Sequence, residues 1–323
     1  MTGPVTEAVS EPFAVYAHVP WCRHVCPYCD FNVYASAEPP ETPYVDALIA
    51  ELRTYTTDPA WRGRPAATVY LGGGTPSLLA PETVGRFVDA VAGSCGLVRD
   101  AEVTLEANPG TLTRDRLAGY RAAGVNRLSL GAQTFAASRL RTLGRDHIPA
   151  DVPAAVEAAR AAGIENVSLD LISGVPGSTL EDWRHDVSAA LALAPTHVSA
   201  YALTWEERTP FDAWRRSGRL VPLDEDVEAA MADATDEMLT AAGFARYEIS
   251  SWARPGFESR HNCTYWDGGD YLGLGAGAHG FSRTPAPGRR WANVRLPDAW
   301  AAAVATRGTG AASTGVRSSH VRA

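Results

Sequence analysis

Cysteine is scarce in this chain, with five in 323 residues. Met1 to Glu11 contains no Lys or Arg and no apolar run, so nothing there reads as a secretory segment or promises a disulfide-forming compartment. No apolar run reaches the roughly 18–20 residues needed to cross a bilayer. A basic surface is missing too: the net charge is -8 and the pI near 5.5, which argues against a protein that coats nucleic acid. The expectation is a cytoplasmic protein that binds no nucleic acid. Transient docking on a membrane protein stays open.

Against that scarcity, three of the five cysteines fall within eight consecutive residues. Cys22, Cys26 and Cys29 lie in the stretch WCRHVCPYCDF, Trp21 to Phe31. Thiolate ligation of a metal or cluster is the usual reason for such crowding. Two plainer readings compete. A structural zinc knot would need a fourth ligand, for which His18 or His24 is at hand. A disulfide pair with one leftover thiol would need an oxidising environment. Three ligands with no obvious fourth suit a site that keeps one position open.

A repeat indicates the architecture. RAAGVNRLSLG (Arg121 to Gly131) aligns without gaps to RAAGIENVSLD (Arg160 to Asp170), and TAAGFARYEIS (Thr240 to Ser250) is a looser copy. Each reads as a helix ending at a glycine, followed by a buried strand. A period of about 40 residues with one helix and one strand is a chain of βα units, which gives parallel strands and right-handed crossovers. Strands are expected at Phe13–Val19, Ala67–Leu71, Glu102–Leu105, Arg127–Gly131, Asn166–Leu171 and Val198–Leu203, with Arg246–Ser250 as a candidate seventh. The fold class is α/β: an open, partial (βα)6 TIM-like barrel over residues 13–250, with a short C-terminal extension over 251–300. A flat doubly wound sheet is the alternative. Residues 1–12 and 301–323 read as disordered.

In either fold the carboxyl ends of the strands carry function. The cysteine loop follows strand one, and Gly72-Gly73-Gly74-Thr75-Pro76-Ser77 follows strand two. Glu106 ends strand three, Gln133 follows strand four, Asp170 lies in strand five and Tyr201 in strand six. Polar groups able to hold a charged, ribose-bearing ligand gather on one rim. The glycine run lets backbone approach a ligand closely. It matches neither the dinucleotide fingerprint nor the phosphate loop.

The C-x3-C-x2-C spacing followed by an aromatic resembles the signature of the radical S-adenosylmethionine (SAM) superfamily. Over roughly residues 13–300 the chain looks like its oxygen-independent coproporphyrinogen III oxidase branch. The resemblance implies that Cys22, Cys26 and Cys29 hold a 4Fe–4S cluster with one iron left open for SAM. It also implies that Gly72, Gly73, Gly74 and Thr75 hold the methionine amino group. Glu106, Gln133, Arg145 and Asp170 match that branch's SAM contacts, and Tyr16 and Tyr28 match further cofactor neighbours. The plain alternatives are a helix-entry charge for Glu106, a solvated helix end for Arg145 and a capping carboxylate for Asp170.

The oxidases proper carry a fourth cysteine where this chain has Phe31. That replacement, the motif HNCTYW (His261 to Trp266) and the run YLGLGAGAHGF (Tyr271 to Phe281) are similar to the HemW group of haem chaperones. The resemblance implies haem as cargo and haem-requiring respiratory proteins as acceptors. His261 would be the haem ligand, with Tyr265 and Trp266 as aromatic surface; Cys263 and His279 are alternative ligands. The plainer reading has His261 and Asn262 capping a turn and the two aromatics packed in the core. The branch also implies an alternative activity, radical oxidative decarboxylation of coproporphyrinogen III to protoporphyrinogen IX. Members of the branch continue into a further, largely helical C-terminal domain; its absence from this sequence leads to an expectation of lower stability.

Overall fold

A computed structural model of the chain describes residues 11–311. Six strands follow the expected order: β1 (Phe13–Val19), β2 (Ala66–Gly73), β3 (Leu97–Ala107), β4 (Arg127–Gln133), β5 (Asn166–Ser173) and β6 (His197–Ala202). Each pairs in parallel with the next, so β1 to β6 form one continuous ladder. Their burial is near-continuous, as in β1, where six of seven residues are buried. That pattern is what a parallel sheet covered on both faces requires. Helices α1 (Glu41–Thr57), α2 (Pro81–Cys95), α3 (Arg114–Ala122), α4 (Ala137–Thr142), α5 (Asp151–Ala161) and α6 (Leu180–Ala192) supply the crossovers. Gly124 and Gly163, the repeat's punctuation, have φ of 96° and 80°, a left-handed stop that a side chain would strain.

Beyond β6 the chain runs through α7 (Pro210–Arg216) and α8 (Glu225–Ala241), then departs from the expected repeat. Instead of a seventh parallel strand at Arg246–Ser250, two short strands form: β7 (Ala245–Arg246) and β8 (Ser251–Ala253). β8 is antiparallel to β6, and β7 to β8. The third repeat copy thus keeps its helix and glycine stop and loses the parallel strand.

The extension reaches the other edge. After α9 (Arg260–Trp266), strand β9 (Tyr271–Leu274) pairs in parallel with β1. Then β10 (His279–Ser282) and β11 (Arg289–Ala292) add antiparallel strands outside it. The sheet order is β11-β10-β9-β1-β2-β3-β4-β5-β6-β8-β7, with its two ends unpaired to each other, an open partial barrel. The G-x-G-x-x-G spacing at Gly275 to Gly280 joins β9 to an antiparallel strand rather than to a helix, so it is no dinucleotide turn.

The expected disordered stretch from residue 301 is corrected in part. Helix α10 runs Pro297–Arg307 with Trp300, Ala303 and Val304 buried. Its composition, with five Ala in eleven residues, hides an apolar face supplied by Trp300 and Val304. Gly308 ends it in the left-handed conformation, at φ 77°. Glu51 of α1 ties this end down: its carboxylate accepts from Gly275 N (3.0 Å), Gly310 N (2.7 Å), Trp300 Nε1 (3.1 Å) and Asn293 Nδ2 (3.1 Å). Residues 1–10 and 312–323, the rest of the two segments read as disordered, lie outside the described residues. Among the described residues no helix is long and apolar enough to cross a membrane.

Candidate functional site

The cysteine loop leaves β1 and is held from three sides. Trp21 O accepts from Thr75 N at 2.7 Å, which ties the loop to the glycine run. Gly144 O receives Cys26 Sγ at 3.8 Å and a hydrogen bond from His24. Pro27 O accepts from Phe211 N of α7 at 3.0 Å. The glycines are sterically required. A Cβ on Gly73 would meet the His18 ring at 2.5 Å, one on Gly74 the Trp21 carbonyl at 2.6 Å, and one on Gly144 the Pro27 ring at 2.6 Å.

Cys22, Cys26 and Cys29 carry free, half-buried thiols. Burial pushes Cys22 up from its ordinary value and Cys29 to about 11. Ligation therefore displaces protons, and loading eases as pH rises. Among the described residues no three His, Cys, Asp or Glu side chains converge on one point, as a single zinc ion would need. A cubane spreads its ligands more widely. The proposed fourth zinc ligands are engaged: His18 bonds Tyr16 OH and Asn32 O, both at 2.9 Å, and His24 bonds Gly144 O. The donor set fits an open cluster better than a zinc knot.

The three cysteines line a cavity of about 770 Å³ together with Tyr16, Tyr28, Gly73, Gly74 and Thr75. Glu106, Gln133, Arg145, Asp170 and His261 line the same cavity, while Gly72 lies just outside the lining. Glu106 is no helix-entry charge. Its carboxylate accepts from Tyr70 OH at 2.8 Å and Gly73 N at 2.9 Å, and burial raises it to about 7. Asp170 caps nothing. It accepts from Ser129 Oγ at 2.8 Å and Ser168 Oγ at 3.1 Å, and burial raises it as well. Gln133 is a non-glycine residue at φ 62°, a costly conformation that tends to persist at functional sites. Its loop is fixed by buried Asp186, which accepts from Thr134 Oγ1 (2.7 Å), Phe135 N (2.8 Å) and Arg139 Nη2 (3.1 Å).

Arg145 departs from its plain reading as a solvated helix end. It reaches Gly131 O at 3.1 Å and Cys26 Sγ at 3.8 Å, and its buried Nε has no hydrogen-bond partner among the described residues. Tyr28 sits beside it, raised by burial and by the neighbouring cysteines. The Arg145 guanidinium lines the cavity, and its positive charge suits an anionic ligand group. Arg127 was missed by sequence reading. It opens β4, is 2% exposed and lines the cavity, and its Nε has no hydrogen-bond partner among the described residues. As the first residue of an expected strand it carries no sequence signal of its own, and its place on the cavity wall follows from the fold.

His261 is 2% exposed. Its Nδ1 bonds Thr68 Oγ1 and its Nε2 bonds Tyr265 OH, both at 2.7 Å, while burial lowers it to about 3. The imidazole bridges β2 and α9, with both ring nitrogens hydrogen-bonded. The plainer reading is corrected for the two aromatics, since Tyr265 is 38% and Trp266 55% exposed and neither packs in the core.

Comparison with known proteins adds the following. The radical SAM superfamily model matches residues 16–190. The haem chaperone HemW of Mycobacterium tuberculosis is 45% identical over 296 residues, covering 90% of this chain and 74% of that protein. HemW of Escherichia coli is 42% identical over 273 residues, covering 83% and 70%. The solved coproporphyrinogen III oxidase HemN of Escherichia coli superposes with a TM-score of 0.79 at 24% identity, covering 93% of this chain and 71% of that one. The last likeness concerns the fold.

Proposed function

Because the chain belongs to the radical SAM superfamily and, within it, to the family of HemW haem chaperones, we propose that it binds a 4Fe–4S cluster and SAM and carries haem to haem-requiring respiratory proteins in the cytoplasm. The observation that carries this reading is one cavity walled both by the three thiols and by Glu106, Gln133, Arg145 and Asp170. When bound, the cluster supplies an open iron for SAM and an electron. Cys22, Cys26 and Cys29 would hold it. Gly73 and Gly74 let the backbone approach the amino end of SAM, Arg145 offers positive charge, and Asp170 and Gln133 offer polar partners to a ribose. Tyr16 and Tyr28 close the walls and exclude water.

Phe31 supports a chaperone over an oxidase. It is 67% exposed at the mouth of the cavity, where the oxidases carry their fourth cysteine. The test uses anaerobically reconstituted protein, reduced and given SAM with and without coproporphyrinogen III. Cluster assembly and haem binding without porphyrinogen turnover support the reading. Protoporphyrinogen formation would make the protein an oxidase, and zinc in place of iron would remove the cluster.

A further inference from the structure

We propose that the haem site is a second cleft, with His279 as the axial ligand and Arg295 as the partner of a propionate. The proposal rests on the reading of haem as cargo and gives that cargo a place away from His261.

The cleft has a volume of about 620 Å³, within the roughly 300–1,000 Å³ usual for cofactor pockets. Its outer wall is the β10–β11 hairpin. Register pairs His279 with Ala292 and Phe281 with Arg290, and side chains two apart share a face. One face of the hairpin therefore carries an imidazole, an aromatic ring and a guanidinium. The opposite face packs inward, where Trp291 fills the space over Gly280: a Cβ there would meet its ring at 2.2 Å.

Two histidines line the cleft. His18 is bonded on both ring nitrogens. His279 is exposed and, among the described residues, its ring makes no hydrogen bond. Partial burial, then the nearby Arg290 and Arg295, lower it from its ordinary value, which keeps the imidazole neutral and able to ligate iron. Arg295 donates to Asn32 Oδ1 at 3.2 Å and has no carboxylate within ion-pair distance among the described residues, so its charge is available to a propionate. Tyr265 and Tyr271 form an edge-to-face pair, 4.6 Å between centroids, on the inner wall, and exposed Phe31 stands at the entrance. Aromatic side chains of that kind offer apolar contact to a porphyrin face. Tyr16, Gly73, Glu106, Phe31 and Tyr265 line both this cleft and the cysteine cavity. Haem here would lie against the cluster loop.

The experiment titrates the full chain with ferric haem, following the Soret band, in wild type, His279→Ala, His261→Ala and Arg295→Glu. Iron-free protoporphyrin IX is titrated in parallel. Expected are a shifted Soret band and at least a tenfold loss of affinity for H279A, and an unshifted band for H261A. R295E should weaken both ligands about fivefold with the band unmoved, and H279A should bind iron-free porphyrin like wild type. Haem binding by wild type with H279A unchanged in band and affinity overturns the site and leaves haem as cargo. Failure of wild type to bind haem overturns the cargo reading itself. Should circular dichroism show H279A unfolded, R295E decides: affinities equal to wild type for both porphyrins overturn the site.

Discussion

Glu51 and Glu106 are both carboxylates that burial raises to about 7, and the donors around them differ in kind. Glu51 is enclosed by two backbone amides, an indole and an amide side chain, all from residues 275–310. Glu106 has two donors, Tyr70 OH and Gly73 N, and a cavity on its open side. A buried carboxylate whose lone pairs are all answered is a fastener. One that is half answered and faces a void has capacity left for a ligand.

The largest effect should come from Glu51→Ala, which strands four donors and should cost about 3–5 kcal/mol of stability, read from denaturant midpoints. A loss under about 1 kcal/mol would erase the distinction. Gly73→Ala comes next. The new Cβ meets the His18 ring and the φ of 115° resists it, so about 2–3 kcal/mol is lost and reconstituted iron per chain falls. Glu106→Gln should leave stability at pH 4.5 within about 1 kcal/mol of wild type, while weakening SAM binding at pH 7 at least tenfold, about 1.4 kcal/mol by isothermal titration. Unchanged SAM affinity would make Glu106 a second fastener.

The same variant sharpens the comparison through pH. A carboxylate raised to about 7 in the fold, against 4.5 ordinarily, stabilises fully below 4.5, and that contribution is lost as pH rises to about 7. His261, lowered to about 3, and His147, lowered to about 4, act oppositely, their contribution being full above 6.5 and lost as pH falls. Both histidines and Glu51 are common to the two proteins. The stability of wild type minus that of Glu106→Gln should therefore fall between pH 4.5 and 7 and level off above it. A flat difference across that window would contradict the burial of Glu106. Smallest of all is Cys95→Ser at the end of α2, where Sγ bonds Val91 O at 3.2 Å. Iron content should not change, and stability should move by less than about 1 kcal/mol.

The parallel barrel was legible because its signals are local: a glycine stop, a buried strand, a repeated period. So were the residues at the strand ends, since chain order alone sends Glu106, Gln133 and Asp170 to the same rim. What stayed hidden depends on distant partners. Glu51 lies one residue from Leu52 in an amphipathic stripe and looks like an ordinary solvated charge until residues 275–310 fold over it. Tyr271–Leu274 is too short and glycine-rich to announce a strand, and only the open edge of β1 gives it one. His261 sits in a motif that suggested a ligand, yet the ring's two partners, Thr68 and Tyr265, come from different elements.

The pairing of β1 with β9 also sets a timetable. On a ribosome adding about 5–20 residues per second, some 250 residues separate Val19 from Tyr271, so the first strand waits roughly 13–50 s for its outer neighbour. Throughout that interval the cysteine loop, already emerged, hangs from a strand with one side unpaired. The nascent chain therefore exposes its thiols before β9 closes that side of β1.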